Sequence, residues 1–294
     1  MVLRHAAIQA TYAPSVYNTQ PWILRLAPDE LALHADPGRW LMSLDRLGRH
    51  LLISCGCALF NARTSIAADG WRADVRRTQV ELPDATLIAT ITASPAEEGA
   101  ADPILAGLNR RVQIGPVAPY SIPALVDLAE LTGRLRAAIS GVGAEMVPVV
   151  EPGRRSALQQ AIDDAEEEYR RKQDERTARW SWAGVLGVSE WSNAPVRAEA
   201  YLLTAVLVTP GDTPADWVSA GECLQRILLE LANAGYAADL CLPAVEVAGI
   251  RDRIHHILGN QAYPQAVLQL GPADPASPAP QRRLLVDVIR ESTD

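Results

Sequence analysis

Lysine is nearly absent from this chain. Of its 27 basic residues only Lys172 is a lysine, set in the charge-dense run EEEYRRKQDER. That run reads as a solvated helical face, which sets aside a Schiff-base lysine and pyridoxal phosphate chemistry with it. Cysteine is also scarce. Cys55, Cys57, Cys223 and Cys241 contain no C-x-x-C pair, so they read as reduced, buried small residues rather than zinc ligands. No run approaches the roughly 20 uninterrupted apolar residues of a membrane helix. The opening MVLRHAAIQATYAPS is broken by His5, Gln9 and Pro14 before a signal-like apolar segment can form. No basic stripe exists either. Against 27 basic residues stand 35 acidic ones, giving a spread net charge of −8, unlike a dedicated nucleic-acid binder. The expectation is a soluble, cytoplasmic protein that acts on a small molecule, with no nucleic-acid or membrane partner. His5, His34 and His50 stand alone and read as structural, and His255 and His256 fall on a polar helix.

What is present is a core. Nearly half of the 294 residues are apolar, 48%, enough for one large domain or two ordinary ones. A helix over 2–13 ends at Pro14, and strands follow at WILRL (22–26) and ELALHAD (30–36). The segment HLLISCGCALFNARTSIAADGW is apolar almost all round and ends at Gly70, which predicts a helix buried in the middle of the molecule. Strands around ADVRRTQV and TLIATITA come next, then a helix leading to Arg110 and Arg111. The second half restarts with a helix over 122–138, a strand AEMVPVV, a long polar helix over 154–179 and a strand EAYLLTAVLVTP. A long apolar helix, ADWVSAGECLQRILLELANAGY, precedes the last core strand AVLQLG (266–271) and a Pro-rich tail. Residues 54–75 lie over 219–240 with identities at Ser54/Ser219, Gly56/Gly221, Leu59/Leu224, Ala67/Ala232, Gly70/Gly235, Ala73/Ala238 and Asp74/Asp239. The pattern is a small-faced helix, a glycine stop, an aromatic and a strand opening on Ala-Asp. It predicts two copies of one α+β half, 1–105 and 106–294, intertwined in one globular unit.

The most specific string is APSVYNTQPW (13–22). Pro14 ends a helix, and Pro21 is expected to hold Gln20 extended. Ser15, Asn18 and Gln20 offer hydrogen-bonding groups from a fixed loop anchored by Trp22. The string A-P-S-x-x-N-x-Q-P-W closely resembles that of the nitroreductase family of FMN flavoproteins. LPAVEVAG after the long second helix resembles the family's loop beside the flavin ring. AYPQAVLQLG with PQRRLLVDV resembles its last strand and arginine-bearing tail, and LNRRVQIGPV its R-R-S-x-R segment. With the core helix present twice, the order resembles the Acg-type subfamily, in which one chain supplies both halves of a pseudo-dimer.

The resemblance implies a nitroreductase-like α+β fold: two fused halves around a central pair of long helices, each half with a mixed sheet. FMN would lie at the seam, and NAD(P)H would serve as transient reductant. Pro14, Ser15, Asn18 and Gln20 would line the flavin. Pro243 and Glu246 match the P-x-E-G loop, Arg110 and Arg111 the leading phosphate segment, and Arg282 and Arg283 the tail cations. Arg suits a phosphate because its fork binds two oxygens at once. Three positions depart from the family pattern. Val112 and Ile114 stand where a hydroxyl and a cation are usual, and Gln269 where the subfamily commonly has Arg. The segment WSWAGVLGVSEW suits an aromatic lid, with Trp180, Trp182 and Trp191, together with Tyr17, as the substrate-binding set. The implied activity is reduction, or flavin-linked oxidation, of an electron-poor, aromatic or peptidic small molecule. The alternative is a scaffold without ordinary flavin turnover, either FMN-sequestering or flavin-free. Both a monomeric pseudo-dimer and a homodimer agree with the sequence.

Overall fold

The structure is a computed structural model, and it describes residues 1–42, 44–96, 103–112, 128–177, 201–247, 249–272 and 281–291. Helix α1 (Val2–Ala10) buries Leu3, Ala6, Ala7 and Ala10, the spacing of one helical face. It ends three residues earlier than Pro14 predicts, because the Thr11 hydroxyl donates back to the Ile8 carbonyl (2.7 Å) and the chain leaves the helix there. Strands β1 (Trp22–Leu26) and β2 (Leu31–Ala35) form an antiparallel hairpin. Helix α2 (Arg49–Ala68) follows, then β3 (Trp71–Arg77), β4 (Leu87–Pro95) and α3 (Pro103–Val112). Next come α4 (Leu128–Ile139), β5 (Glu145–Pro148), the polar α5 (Pro152–Thr177), β6 (Leu203–Thr209), α6 (Pro214–Asn233) and β7 (Tyr236–Leu240). The short α7 (Leu242–Glu246), α8 (Ile250–Ile257), β8 (Tyr263–Pro272), α9 (Leu285–Val288) and β9 (Ile289–Glu291) complete the order.

Two sheets result. The first runs β3-β4-β2-β1-β9, the second β5-β6-β8-β7. Among the described strands only β9 is parallel to its neighbour, with Leu24 opposite Ile289. The first sheet is thus mixed, as expected. The second is antiparallel throughout its described strands, which departs from a mixed sheet in each half. Counted separately in chain order, β1–β4 and β5–β8 each have the order third, fourth, second, first, and in each set the long helix precedes the third strand.

Helices α2 and α6 pack against one another at the centre. In α2 every residue but Arg63 and Ala68 is buried. The helix is long and apolar enough to cross a bilayer, with mean hydropathy 1.4, a property that a search for uninterrupted apolar runs misses. Here 89% of that apolar stretch lies inside the protein, as in a core helix. The two helices meet at Gly56 and Gly221. A Cβ on Gly56 would land on the Val218 carbonyl oxygen, and one on Gly221 on that of Ile53. Both helices stop at a left-handed glycine, Gly70 (φ 78°) and Gly235 (φ 79°). The one acidic side chain fully buried in the pair, Glu222 of α6, is held by Arg63 (2.7 Å) and Arg77. All four cysteines are buried and unbridged.

Candidate functional site

The loop between α1 and β1 is held in an unusual backbone. Tyr17 (φ 47°), Asn18 (φ 52°) and Gln20 (φ 50°) all lie in the left-handed region, which costs an L-residue about 1–2 kcal/mol each. Gln20 is therefore not extended, although Pro21 follows it. Three bonds outweigh the proline's preference. The Ser15 hydroxyl accepts the Gln20 N–H (2.9 Å), and the Gln20 carbonyl accepts from both Trp22 N–H (2.9 Å) and Arg39 (2.8 Å). The Val16 N–H donates to Ser54 Oγ (3.1 Å), and Ser54 donates in turn to the His50 carbonyl (2.7 Å), which fastens the loop to α2. Pro14, Ser15, Asn18 and Gln20 are buried and Tyr17 is half-buried.

Onto this loop folds the C-terminal arm, 281–291. Asn18 Nδ2 donates to the Gln281 carbonyl (2.9 Å), and Gln20 Oε1 accepts the Arg283 N–H (2.9 Å). Arg282 donates to the Tyr12 carbonyl (2.8 Å) and to Asn18 Oδ1 (3.4 Å), and Arg283 Nε to the Thr19 carbonyl (3.3 Å). Burial lowers the Arg282 guanidinium to about 10. Arg39 is lowered as well, by burial and then by the neighbouring charge of Arg283, with Asp36 opposing. Loop and tail, 263 residues apart at Asn18 and Gln281, thus form one cluster.

Glu246 approaches the same helix from the other side. Its carboxylate lies 3.9 Å from His50 Nε2, with both side chains buried. Arg49 settles what that contact is. Its guanidinium can only donate, and it lies 2.7 Å from His50 Nε2, so that nitrogen accepts and the ring proton sits on Nδ1. His50 is thus neutral, and burial, then Arg49 and Arg251, hold its pKa well below the usual imidazole value. Glu246 and His50 Nε2 are two acceptors grouped about one cation. Arg49, itself lowered to about 10 mainly by burial, also donates to the carbonyls of Val245 (2.5 Å) and Gln265 (3.0 Å). It thereby fixes the α7 turn to the start of α2. Behind it, Asp212 accepts from Arg251 (2.7 and 2.8 Å), Trp217 (2.7 Å) and Gln265 (3.1 Å). Burial works to raise the Asp212 pKa, and these donors outweigh it, so the net shift is downward.

Other expected residues lie elsewhere or beyond description. Gln269, buried in β8, accepts from the Cys241 thiol (3.2 Å) and lines a groove of about 930 Å³ with Gln159, Arg155, Tyr201 and Thr204. Arg110, Arg111 and Val112 sit in the last turn of α3 and Pro243 in α7, with side chains outside the described residues. Ile114, Trp180, Trp182 and Trp191 fall outside the described residues altogether. Sequence reasoning missed Arg39, Arg49 and Ser54 as site builders. Arg39 follows the turn signal Asp36-Pro37-Gly38, but its partners become visible only in the fold.

The Mycobacterium tuberculosis protein named "Putative NAD(P)H nitroreductase Rv3131" is 30% identical over 308 residues, spanning 94% of this chain and 87% of that protein. The chain belongs to the nitroreductase family. From the same organism, "Putative NAD(P)H nitroreductase acg" is 28% identical over 324 residues, covering 98% of this chain and 95% of that one. The crystal structure of the FMN and NADPH-dependent nitroreductase NfnB from sphigopyxis sp. strain HMH matches 61% of this chain and 95% of its own at 19% identity, with TM-score 0.40. No family model matches the chain. Within this nitroreductase-family chain, the loop and the α7 turn are both fastened to the first turns of α2, through Ser54 and Arg49, and the arm lies on the loop.

Proposed function

We propose that the chain is an FMN-dependent oxidoreductase of nitroreductase type, soluble and cytoplasmic, built as two fused halves that share one site. The carrying observation is that the arm with Arg282 and Arg283 lies on the loop, while the loop and the α7 turn are both fastened to the start of α2. The matched strand orders and the Gly56–Gly221 crossing support the fused halves.

Two features of the residues fit FMN. Among the described residues, Arg282 and Arg283 donate to the Tyr12 and Thr19 carbonyls and the Asn18 amide, and a phosphate is an acceptor of the same kind with greater charge. Glu246 is half-buried as a residue while its side chain is only 4% exposed, so its exposure comes from the main chain. The α7 turn thus turns its carboxylate inward and leaves backbone for a flavin edge. Bound there, FMN would supply two-electron transfer between a reduced nicotinamide and an electron-poor organic substrate. Arg282 and Arg283 would hold the phosphate, Ser15 and Pro14 would wall the loop side, and Arg49 would keep the turn in place. The 930 Å³ groove has the size of a small-molecule site.

A second reading, the scaffold without ordinary flavin turnover, is favoured by Gln269. Its buried neutral amide is already engaged by Cys241 and Gln159 where the subfamily commonly has Arg. The visible spectrum decides between them. Yellow protein that bleaches with NAD(P)H is the expected result, and Arg282→Gln should weaken FMN binding by about 1.5–3 kcal/mol. Yellow protein that resists reduction supports the second reading. Colourless protein that FMN cannot reconstitute ends the first.

A further inference from the structure

The hydrogen bonds of Asn18, Gln20 and Arg39 have one feature in common: they reach backbone atoms of the arm. Asn18 takes the carbonyl of Gln281 (2.9 Å), Gln20 the N–H of Arg283 (2.9 Å), and Arg39 the carbonyl of Asp287 (2.9 Å). Arg39 also holds the Gln20 carbonyl (2.8 Å), and Asp36 braces its Nε (2.9 Å). Three elements, the loop, the end of β2 and the arm, thus converge on one guanidinium fork.

Asn18 Oδ1 accepts from Gln20 Nε2 (3.0 Å) as well as from Arg282 (3.4 Å), which uses both of its lone pairs. The amide oxygen most conspicuous in the sequence motif is therefore turned to the arm. Burial does little for the front of that arm. Leu284, Leu285 and Val286 are 71%, 44% and 80% exposed, and the fully buried apolar anchor is Val288. The β9 ladder engages only Leu24, Arg25 and Leu26. Polar contacts to the backbone are what fix the register of residues 281–287.

We infer that Asn18, Gln20 and Arg39 are positioning residues that latch the C-terminal arm across the loop, and so set the places of Arg282 and Arg283. The inference deepens the FMN reading above and rests on it only for the ligand. The latch itself stands on the contacts just given. On this account Asn18 and Gln20 act on a phosphate-bearing ligand through the arm, not by touching it.

The test uses the full chain carrying Asn18→Ala, Gln20→Ala or Arg39→Gln. Hydrogen exchange read by mass spectrometry over 281–291 should quicken roughly fivefold or more in each variant, the effect of losing one ordinary hydrogen bond. Exchange in α2 and α6 should stay as in the parent, which certifies the fold. Should an alanine variant fail that check, Arg39→Lys, which keeps the charge and loses the fork, takes its place with the same expected quickening. FMN affinity by fluorescence then separates indirect from direct action. Adding Asn18→Ala to the Arg282→Gln/Arg283→Gln pair should cause no further loss. Unchanged arm exchange in every variant overturns the latch, and losses that multiply with the arginine pair overturn indirect action. Absence of FMN binding in the parent removes the flavin reading, and the exchange experiment still decides the latch.

Discussion

His50 shows how much one neutral side chain can be made to carry. It sits in the second position of α2, its Nε2 capped by Arg49, in a pocket that burial and two arginines make hostile to a second proton. The consequence for stability has a definite sign. The unfolded chain protonates this imidazole below about pH 6.5, and the folded chain does not. Unfolding therefore takes up a proton, and stability falls as pH drops below that value, by about 1.4 kcal/mol per pH unit until the folded pKa is reached. His34, also lowered by burial, adds a contribution of the same sign. The part due to His50 is read by difference. Denaturant unfolding between pH 7.5 and 5 should show a clearly shallower decline for His50→Gln than for the parent. A parallel decline would mean that the ring is protonated in the fold, and that the Arg49 contact has been misassigned.

At the scale of elements, the crossing of α2 and α6 demands more than any other contact between elements. Gly56 and Gly221 each face the other helix's backbone with no room for a methyl group. Gly56→Ala should destabilise the chain by about 3 kcal/mol, seen as a lower urea midpoint, because backbone cannot give way as a flexible side chain can. Gly107 in α3 has open space around its Cα, and its replacement by Ala should be neutral or add about 0.5–1 kcal/mol. Equal effects at both positions would contradict the tight crossing. These helices were legible in the sequence because periodicity, small residues and the stops at Gly70 and Gly235 are local signals. The core strands were legible for the same reason. Strand β9 was not, since three residues after a Pro-rich stretch carry no pattern of their own. The hydrogen-bond partners of the loop were not legible, as contacts such as that of Arg39 and Asp287 join residues 248 apart in sequence. The conformation of Gln20 was misread for a physical reason: three hydrogen bonds overrode the preference that Pro21 sets.

For the whole molecule the question is how many sites two fused halves would make on the reading proposed above. The connection from α4 to β5, residues 140–144, stands where the second half would carry the counterpart of the loop from α1 to β1. The match extends to detail: a Cβ on Gly143 would lie 3.3 Å from Ser219, as Val16 bonds to Ser54, and Ser54 and Ser219 are the aligned pair. Yet that connection reads Ser140-Gly141-Val142-Gly143-Ala144. It has no amide side chain and no cation, and Arg136 in the last turn of α4 before it is bound to Glu145 (2.9 Å). The arm is likewise asymmetric, since β9 extends the first sheet at β1 and no described strand extends the second sheet beyond β5. On the fused-halves reading, one half would therefore supply a loop and the other an arm, once each. On the FMN reading, the reconstituted protein should hold one flavin per chain as a monomer, by absorbance ratio and by native mass spectrometry. Two flavins per chain would show that the Gly-rich connection still serves a site, and one flavin per two chains would show that a site needs a second copy. Either result would break the link between the matched halves and a single asymmetric site.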